Sequence, residues 1–337
     1  MRKIIIIYTG GTIGMIKDDK GVLLPFNFEN LLSYIPLLRN FPAEISSYSF
    51  EEPIDSADAN PEFWVKIAKT LEEHYDNFDG FVILHGSDTM AYTASALSYM
   101  LENLSKPVIL TGSQLPIGLI RTDGRENIIA AMELACMTNN GKALINEVCI
   151  YFENRLFRGN RTTKFSADNF DAFISPNYPV LAKIGTDIKL FEDRLLQNKL
   201  DFLITHTEFC TDIAILKLFP GISPAVVKSI TSINGLKGII LETFGSGNAP
   251  TDEEINSILK TAIKKGITII NISQCTVGKV QHGKYATSLK LEEIGVISGK
   301  DMTTEAAVTK MMFLLAKNFS YKETAKLLGL SLRGEIS

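Results

Sequence analysis

The stretch Ile4-Ile5-Ile6-Ile7-Tyr8-Thr9-Gly10-Gly11-Thr12-Ile13-Gly14 decides how the rest of the chain is read. Four consecutive isoleucines lack the alternation of a half-buried strand. Residues 4–8 therefore read as a strand covered on both faces, the mark of a parallel sheet in an α/β protein. Two glycines then allow a sharp turn at the strand's carboxyl end, the crevice where open α/β sheets bind ligands. Thr12 stands just past the turn as a candidate catalytic hydroxyl. The turn also reads as a phosphate cradle or a purely structural bend, but it has neither the GxGxxG spacing nor the GK[ST] lysine.

Working outward, β-branched runs recur at 81–84, 108–110 and 148–152 with helix-like segments between them, which extends the parallel sheet. Asn60-Pro61 caps a helix whose buried face carries Trp64, Ile67, Ala68 and Leu71. A second helix after Ser87-Asp88 aligns Met90, Ala94, Leu97, Leu101 and Leu104, with Pro107 beyond its end. This makes residues 1–190 an α/β domain. A polar, charged stretch over 191–208 reads as a linker, and 209–337 as a second, smaller α/β domain. There, 239–241 and 267–272 read as strands, while Thr251-x-x-Glu254 and Ser320-x-x-Glu323 read as capping boxes.

A length of 337 residues suits two domains, and 45% hydrophobic with 21% charged residues excludes disorder. A net charge of −4 with both signs scattered gives no footprint for nucleic acid, so neither nucleic acid nor a membrane surface is expected as partner. Four cysteines and four histidines are too dispersed for a metal pair or a disulfide framework, and no metal is expected. The apolar run before Tyr8 is too short for a secretory signal and no run reaches the ~18 residues of a membrane span, so a cytoplasmic location is expected.

Three further loops carry chemistry. His85-Gly86-Ser87-Asp88-Thr89 ends a strand and opens a helix, so its N–H groups could receive an anionic group, although Ser, Asp and Thr are also favoured helix caps. Lys164, among small polar residues in Gly159-Asn160-Arg161-Thr162-Thr163-Lys164, is a general-base candidate that taken alone reads as a solvated surface lysine. Asp55-Ser56-Ala57-Asp58 sets two carboxylates around a hydroxyl, or makes an ordinary Asx turn. His85, between an apolar strand and Gly86, reads as an orienting or core residue.

Together, Tyr8-Thr9-Gly10-Gly11-Thr12-Ile13-Gly14, Asp55-Ser56-Ala57-Asp58, His85-Gly86-Ser87-Asp88-Thr89-Met90 and Thr162-Thr163-Lys164 resemble the bacterial-type L-asparaginases, and the chain resembles their cytoplasmic type I branch. The resemblance implies a larger Rossmann-like domain with a mostly parallel sheet joined to a smaller C-terminal α/β domain. It implies hydrolysis of L-asparagine to L-aspartate and ammonia through an acyl-threonine on Thr12, without cofactor, with Ser87, Asp88 and Lys164 as the activating relay. Asp55, Ser56, Ser87, Asp88, Ser113 and Asn248 are the implied substrate-binding residues. Asn248 would come from a neighbouring subunit of a homodimer or homotetramer. Cys275 matches a residue of the family's second, regulatory site.

Three departures stand out. Ser87 occupies a position where the family usually has threonine, and so lacks the methyl that restricts χ1. Residues 20–24 hold no tyrosine where a lid tyrosine is common. Glu242 stands where an arginine belongs in the regulatory site, so weakened or absent regulation is expected. Glutamine remains an alternative substrate, because one methylene is worth only ~1–3 kcal/mol of discrimination. A glutamyl group on tRNA and a non-catalytic amino-acid or nucleotide binding module are the other readings.

Overall fold

A computed structural model describes residues 1–14, 16–17, 23–24, 34–197, 200, 202–281, 283 and 286–337. Lys20, Gly21 and Val22 of the tyrosine-free stretch, and His282, lie outside the described residues. The chain forms two units, one of residues 1–175 and 179–207 and the other of 176–178 and 208–337.

In the first unit, strands β1 (Arg2–Gly10), β2 (Ala43–Ile54), β3 (Gly80–Leu84), β4 (Val108–Thr111), β5 (Val148–Phe152), β6 (Arg155–Arg158), β7 (Ala182–Ile184) and β8 (Ile188–Leu190) share a sheet. Their order is β8-β7-β6-β5-β4-β3-β1-β2. Strands β1 to β5 are parallel, and β6 to β8 extend the sheet antiparallel. Ile4, Ile5, Ile6 and Ile7 are 1% exposed or less, as expected of a strand covered on both faces. The chain steps from β1 to β2 on one side and returns to β3 on the other, which places a topological switch point between β1 and β3. Parallel pairing brings the carboxyl ends of β1 to β4 to one sheet edge, and with them the loops carrying Thr12, Asp55-Ser56, Ser87-Asp88 and Ser113.

Helix α1 (Pro61–His74) begins as its sequence predicts: the Asn60 side chain accepts from Phe63 N–H at 2.9 Å, Pro61 occupies the first turn, and Trp64, Ile67, Ala68 and Leu71 are buried. Helix α2 (Met90–Met100) is shorter than expected. Leu101 and Leu104 lie past its end, because Leu101–Glu102 runs extended to pair with Ile204–Thr205 and Asn103 turns the chain at φ 61°. Helix α3 (Gly124–Cys136) follows β4.

The expected 191–208 linker is tied into the first unit through residue 207. Besides the Ile204–Thr205 pairing, Leu196 N–H donates to the Glu147 carboxylate at 2.8 Å and His206 N–H to Met100 O at 2.8 Å. A polar stretch satisfies its backbone against a neighbour as readily as against water, and composition does not distinguish the two.

The second unit holds parallel strands β9 (Ile213–Lys217), β10 (Gly238–Thr243), β11 (Thr268–Ser273) and β12 (Ile297–Ser298) in that order. Its helices are α4 (Pro224–Thr231), α5 (Glu253–Lys264), α6 (Ala286–Glu293), α7 (Thr304–Leu315) and α8 (Tyr321–Leu328). Leu216, Ile239, Leu241, Ile255, Leu259 and Ile269 belong to its core. The Ser320–Glu323 capping box forms, whereas α5 is capped by Asp252, whose carboxylate accepts from Glu254 and Ile255 N–H in place of the expected Thr251 box. In α7, the fully buried Lys310 ammonium pairs at 2.6 Å with Glu335, which also accepts from Leu332 and Arg333 N–H. No described helix is long and apolar enough to cross a membrane.

Candidate active site

The β1 and β3 loops touch backbone to backbone. Gly11 has φ +87°, and a Cβ on it would stand 2.4 Å from Gly86 Cα and N. Only a glycine supplies both this conformation and this approach. Thr12 and Ser87 each follow one of the touching glycines by one residue. Gly86 in turn lies against Ser56, whose Oγ would be 2.5 Å from a Cβ there. Thr89 donates to Ser56 O at 2.6 Å, which ties the β2 loop to the same cluster.

Lys164 arrives from a short ladder in which Thr163–Lys164 pairs antiparallel with Phe173–Ile174. Its Nζ donates to Ser87 Oγ at 2.9 Å and to Asp88 Oδ1 at 2.6 Å. The lysine side chain is only 16% exposed, whereas Asp88 is 66% exposed, so the ammonium is held inward and the carboxylate still faces solvent. Lys164 is therefore no solvated surface lysine. The capping reading of the Ser87 loop also fails: Thr89 occupies the cap position of α2 with no side-chain cap bond, and its hydroxyl goes to Ser56 instead.

The other expected residues are placed as follows. Thr12 is half-buried in a single 3-10 turn, Thr12–Gly14. Asp55 is exposed and its Oδ1 accepts from Ala57 N–H at 2.9 Å, an Asx turn, while Ser56 is buried. Ser113 is buried and its hydroxyl donates to Leu115 O within its own loop at 2.6 Å. In the second unit, Asn248 closes a turn through mutual backbone bonds with Phe244. Glu242 accepts from Thr304 Oγ1 at 2.9 Å and lies 3.5 Å from Lys217 Nζ. Cys275 is exposed, and its N–H donates to Ser273 Oγ at 2.9 Å.

His85 sits beneath this edge as a core residue. Its Nδ1 faces Gly86 O at 2.7 Å and its Nε2 faces Thr93 Oγ1 at 2.9 Å, and Thr93 Oγ1 also accepts from Trp64 Nε1 at 3.1 Å. A carbonyl only accepts, so Nδ1 carries the proton and Nε2 accepts from the threonine. Complete burial pushes the imidazole down to about 4, against a small opposing pull from Gly86. Burial likewise pushes the Tyr8 phenol up to about 12, which removes it as a base.

Sequence reasoning missed Gln114. It follows Ser113 in the β4 loop, accepts from Ser87 Oγ at 3.3 Å, and with Leu115, Arg121, Ala167, Asp168, Asn169 and Phe170 lines a cleft of about 500 Å³. The available signal was positional: a polar Ser113-Gln114 tail at the carboxyl end of the strand next to the one that runs into His85. Asp123 holds that loop, accepting from Gln114 and Leu115 N–H at 2.9 to 3.1 Å, and burial raises its carboxyl above the usual range.

A hydroxyl, a carboxylate and an amine within hydrogen-bond reach, beside a threonine at a switch point, form a nucleophile-and-relay arrangement suited to acyl transfer. Comparison with known proteins identifies the family. The family model described as "Asparaginase, N-terminal" matches residues 3–196, and that described as "Glutaminase/Asparaginase C-terminal domain" matches 212–328. L-asparaginase 1 of Escherichia coli K12 is 42% identical, over 100% of this chain and 98% of its own length. A mouse protein named 60 kDa lysophospholipase is 40% identical over 100% of this chain and 63% of its own. The crystal structure of L-asparaginase I from Vibrio cholerae superposes with a TM-score of 0.90 at 41% identity, covering 100% of this chain and 99% of that one. The Thr12 turn, the Ser87-Asp88 loop and the lysine bonded to that loop thus lie in a chain that belongs to the asparaginase family.

Proposed function

We propose that the chain hydrolyses L-asparagine to L-aspartate and ammonia through an acyl-enzyme on Thr12. The observation that carries this reading is Lys164 Nζ bonded to both Ser87 Oγ and Asp88 Oδ1 at the sheet edge that presents Thr12. Thr12 Oγ adds to the side-chain amide carbon, and the nitrogen leaves as ammonia once protonated. A β-aspartyl ester remains on the threonine. Water then adds to that ester, and Thr12 Oγ leaves as it regains a proton. Ser87, Lys164 and Asp88 pass the protons in both halves. The exposed face of Asp88 receives the substrate's α-ammonium, while Ser56, Ser113 and loop N–H groups receive its α-carboxylate, with Asp55 shaping the turn that presents them.

The working form is a homodimer or homotetramer in the cytoplasm, with Asn248 reaching a neighbour's site. Regulation by a second asparagine is weak or absent, because the Glu242 carboxylate sits where an arginine would hold the effector. Saturation curves should accordingly be hyperbolic.

The test is coupled ammonia release from purified protein with L-asparagine and L-glutamine side by side. Asparagine turnover should greatly exceed glutamine turnover. Thr12→Val should abolish it, and Lys164→Met should lower kcat by about 10²–10⁴-fold, the scale of a lost proton-transfer group. Undiminished ammonia release from Thr12→Val would refute the acyl-threonine. Release from neither amide would leave a binding module.

A further inference from the structure

Serine at position 87 lacks the second heavy atom on Cβ that restricts a threonine's χ1, yet its hydroxyl is restrained. Ser87 Oγ accepts from Lys164 Nζ at 2.9 Å and donates to Gln114 Oε1 at 3.3 Å. The directions are fixed by chemistry. An ammonium has no acceptor, so Lys164 donates, and the single hydroxyl proton is left for Gln114.

Gln114 is itself held at both ends. Its Nε2 donates to Ala167 O at 3.0 Å and to Asn169 O at 2.9 Å, and because both are carbonyls the amide oxygen must face Ser87. Its backbone N–H donates to both carboxylate oxygens of Asp123, and Asn127 Nδ2 donates to the same carboxylate at 3.3 Å. A buried carboxylate just before α3 thus fixes where the Gln114 side chain begins, and the 167–169 loop fixes which way round its amide lies.

We infer that Gln114 is a positioning residue for the relay: it fixes the Ser87 rotamer and draws the hydroxyl proton away from Lys164, supplying the restraint that a methyl at position 87 would otherwise give. The inference rests on the reading that Ser87 belongs to the proton relay. It makes positions 87 and 114 energetically coupled, since a threonine at 87 would need Gln114 less.

The test is a double-mutant cycle in the full chain, with kcat and KM for L-asparagine and thermal melting for each variant. Gln114→Met should lower kcat about tenfold with KM within about twofold, as expected when a reacting group loses its orientation. On a Ser87→Thr background the same change should cost less than about threefold. Gln114→Glu keeps an acceptor toward Ser87 but loses the two donations to the 167–169 loop, and should retain more kcat than Gln114→Met. Equal losses on both backgrounds would overturn the inference, as would equal losses for the Met and Glu variants, or a loss that follows melting temperature or KM alone. The underlying relay reading fails separately, if Ser87→Ala retains full kcat.

Discussion

At His85, desolvation outweighs a single hydrogen bond and sets a charge state. The ring titrates at about 4 when folded and near 6.5 when unfolded, so between these values the unfolded chain binds the proton first. Stability is therefore complete above pH ~6.5, falls as the pH drops toward 4, and levels off below that, a loss on the order of 3 kcal/mol. Melting temperature followed from pH 7 to 4 should fall more steeply in the wild-type chain than in His85→Gln, which has nothing to protonate. Parallel profiles would mean that the ring takes up its proton in the fold as readily as in the unfolded chain. Ser87, Asp88 and Lys164 were legible one by one as reactive types in motifs, but their meeting was expected only from the family resemblance, because 77 residues separate Ser87 from Lys164 and nothing local records the ladder that delivers the lysine. Gln114 was illegible for a related reason. A glutamine is ordinary on any surface, and only the carbonyls of residues 167 and 169 turn its oxygen toward Ser87.

The loops act through contact between their backbones. In Gly11→Ala, the added methyl would meet Gly86 backbone at 2.4 Å on a residue already at φ +87°, and neither atom belongs to a side chain that could swing away. The β1 loop must shift, and Thr12 with it. An expected kcat loss of about 100-fold follows from a displacement near 1 Å. Gly141→Ala is the control, with φ +79° but open space around it, and should cost roughly 1 kcal/mol of stability with kcat unchanged. Steady-state kinetics on both variants separates the two effects, and equal kcat would show that the Gly11–Gly86 contact does not set the site. Helix starts were read correctly at Asn60 and Ser320, whose side chains cap their own helices. They were misread where a neighbouring residue or a distant strand intervened: Asp252 took the cap expected of Thr251, and Ile204–Thr205 drew Leu101 out of α2.

For the molecule as a whole, the α/β class and the two-part organisation were legible in the isoleucine run and the alternation that follows it. The chain passes from one unit to the other between residues 207 and 208, at the end of the 191–208 stretch, most of which long-range pairing ties to the first unit. The C-terminal segment is fastened by Glu335, which compensates the Lys310 ammonium where burial pushes it toward the neutral amine. Glu335→Gln keeps an acceptor for Leu332 and Arg333 N–H but leaves that cation uncompensated, at a cost of about 3–5 kcal/mol. Urea unfolding should show the midpoint falling with an unchanged slope, and an unmoved midpoint would mean that the pair contributes nothing.

The strand order also gives the site a history during translation. The first strand lies inside the sheet, between partners that end at residues 54 and 84, so the threonine turn cannot settle until both have left the ribosome. The lysine follows Ser87 by 77 residues, roughly 4 to 15 s at ordinary elongation rates. For that interval the nascent chain displays a hydroxyl and a carboxylate with no amine to join them.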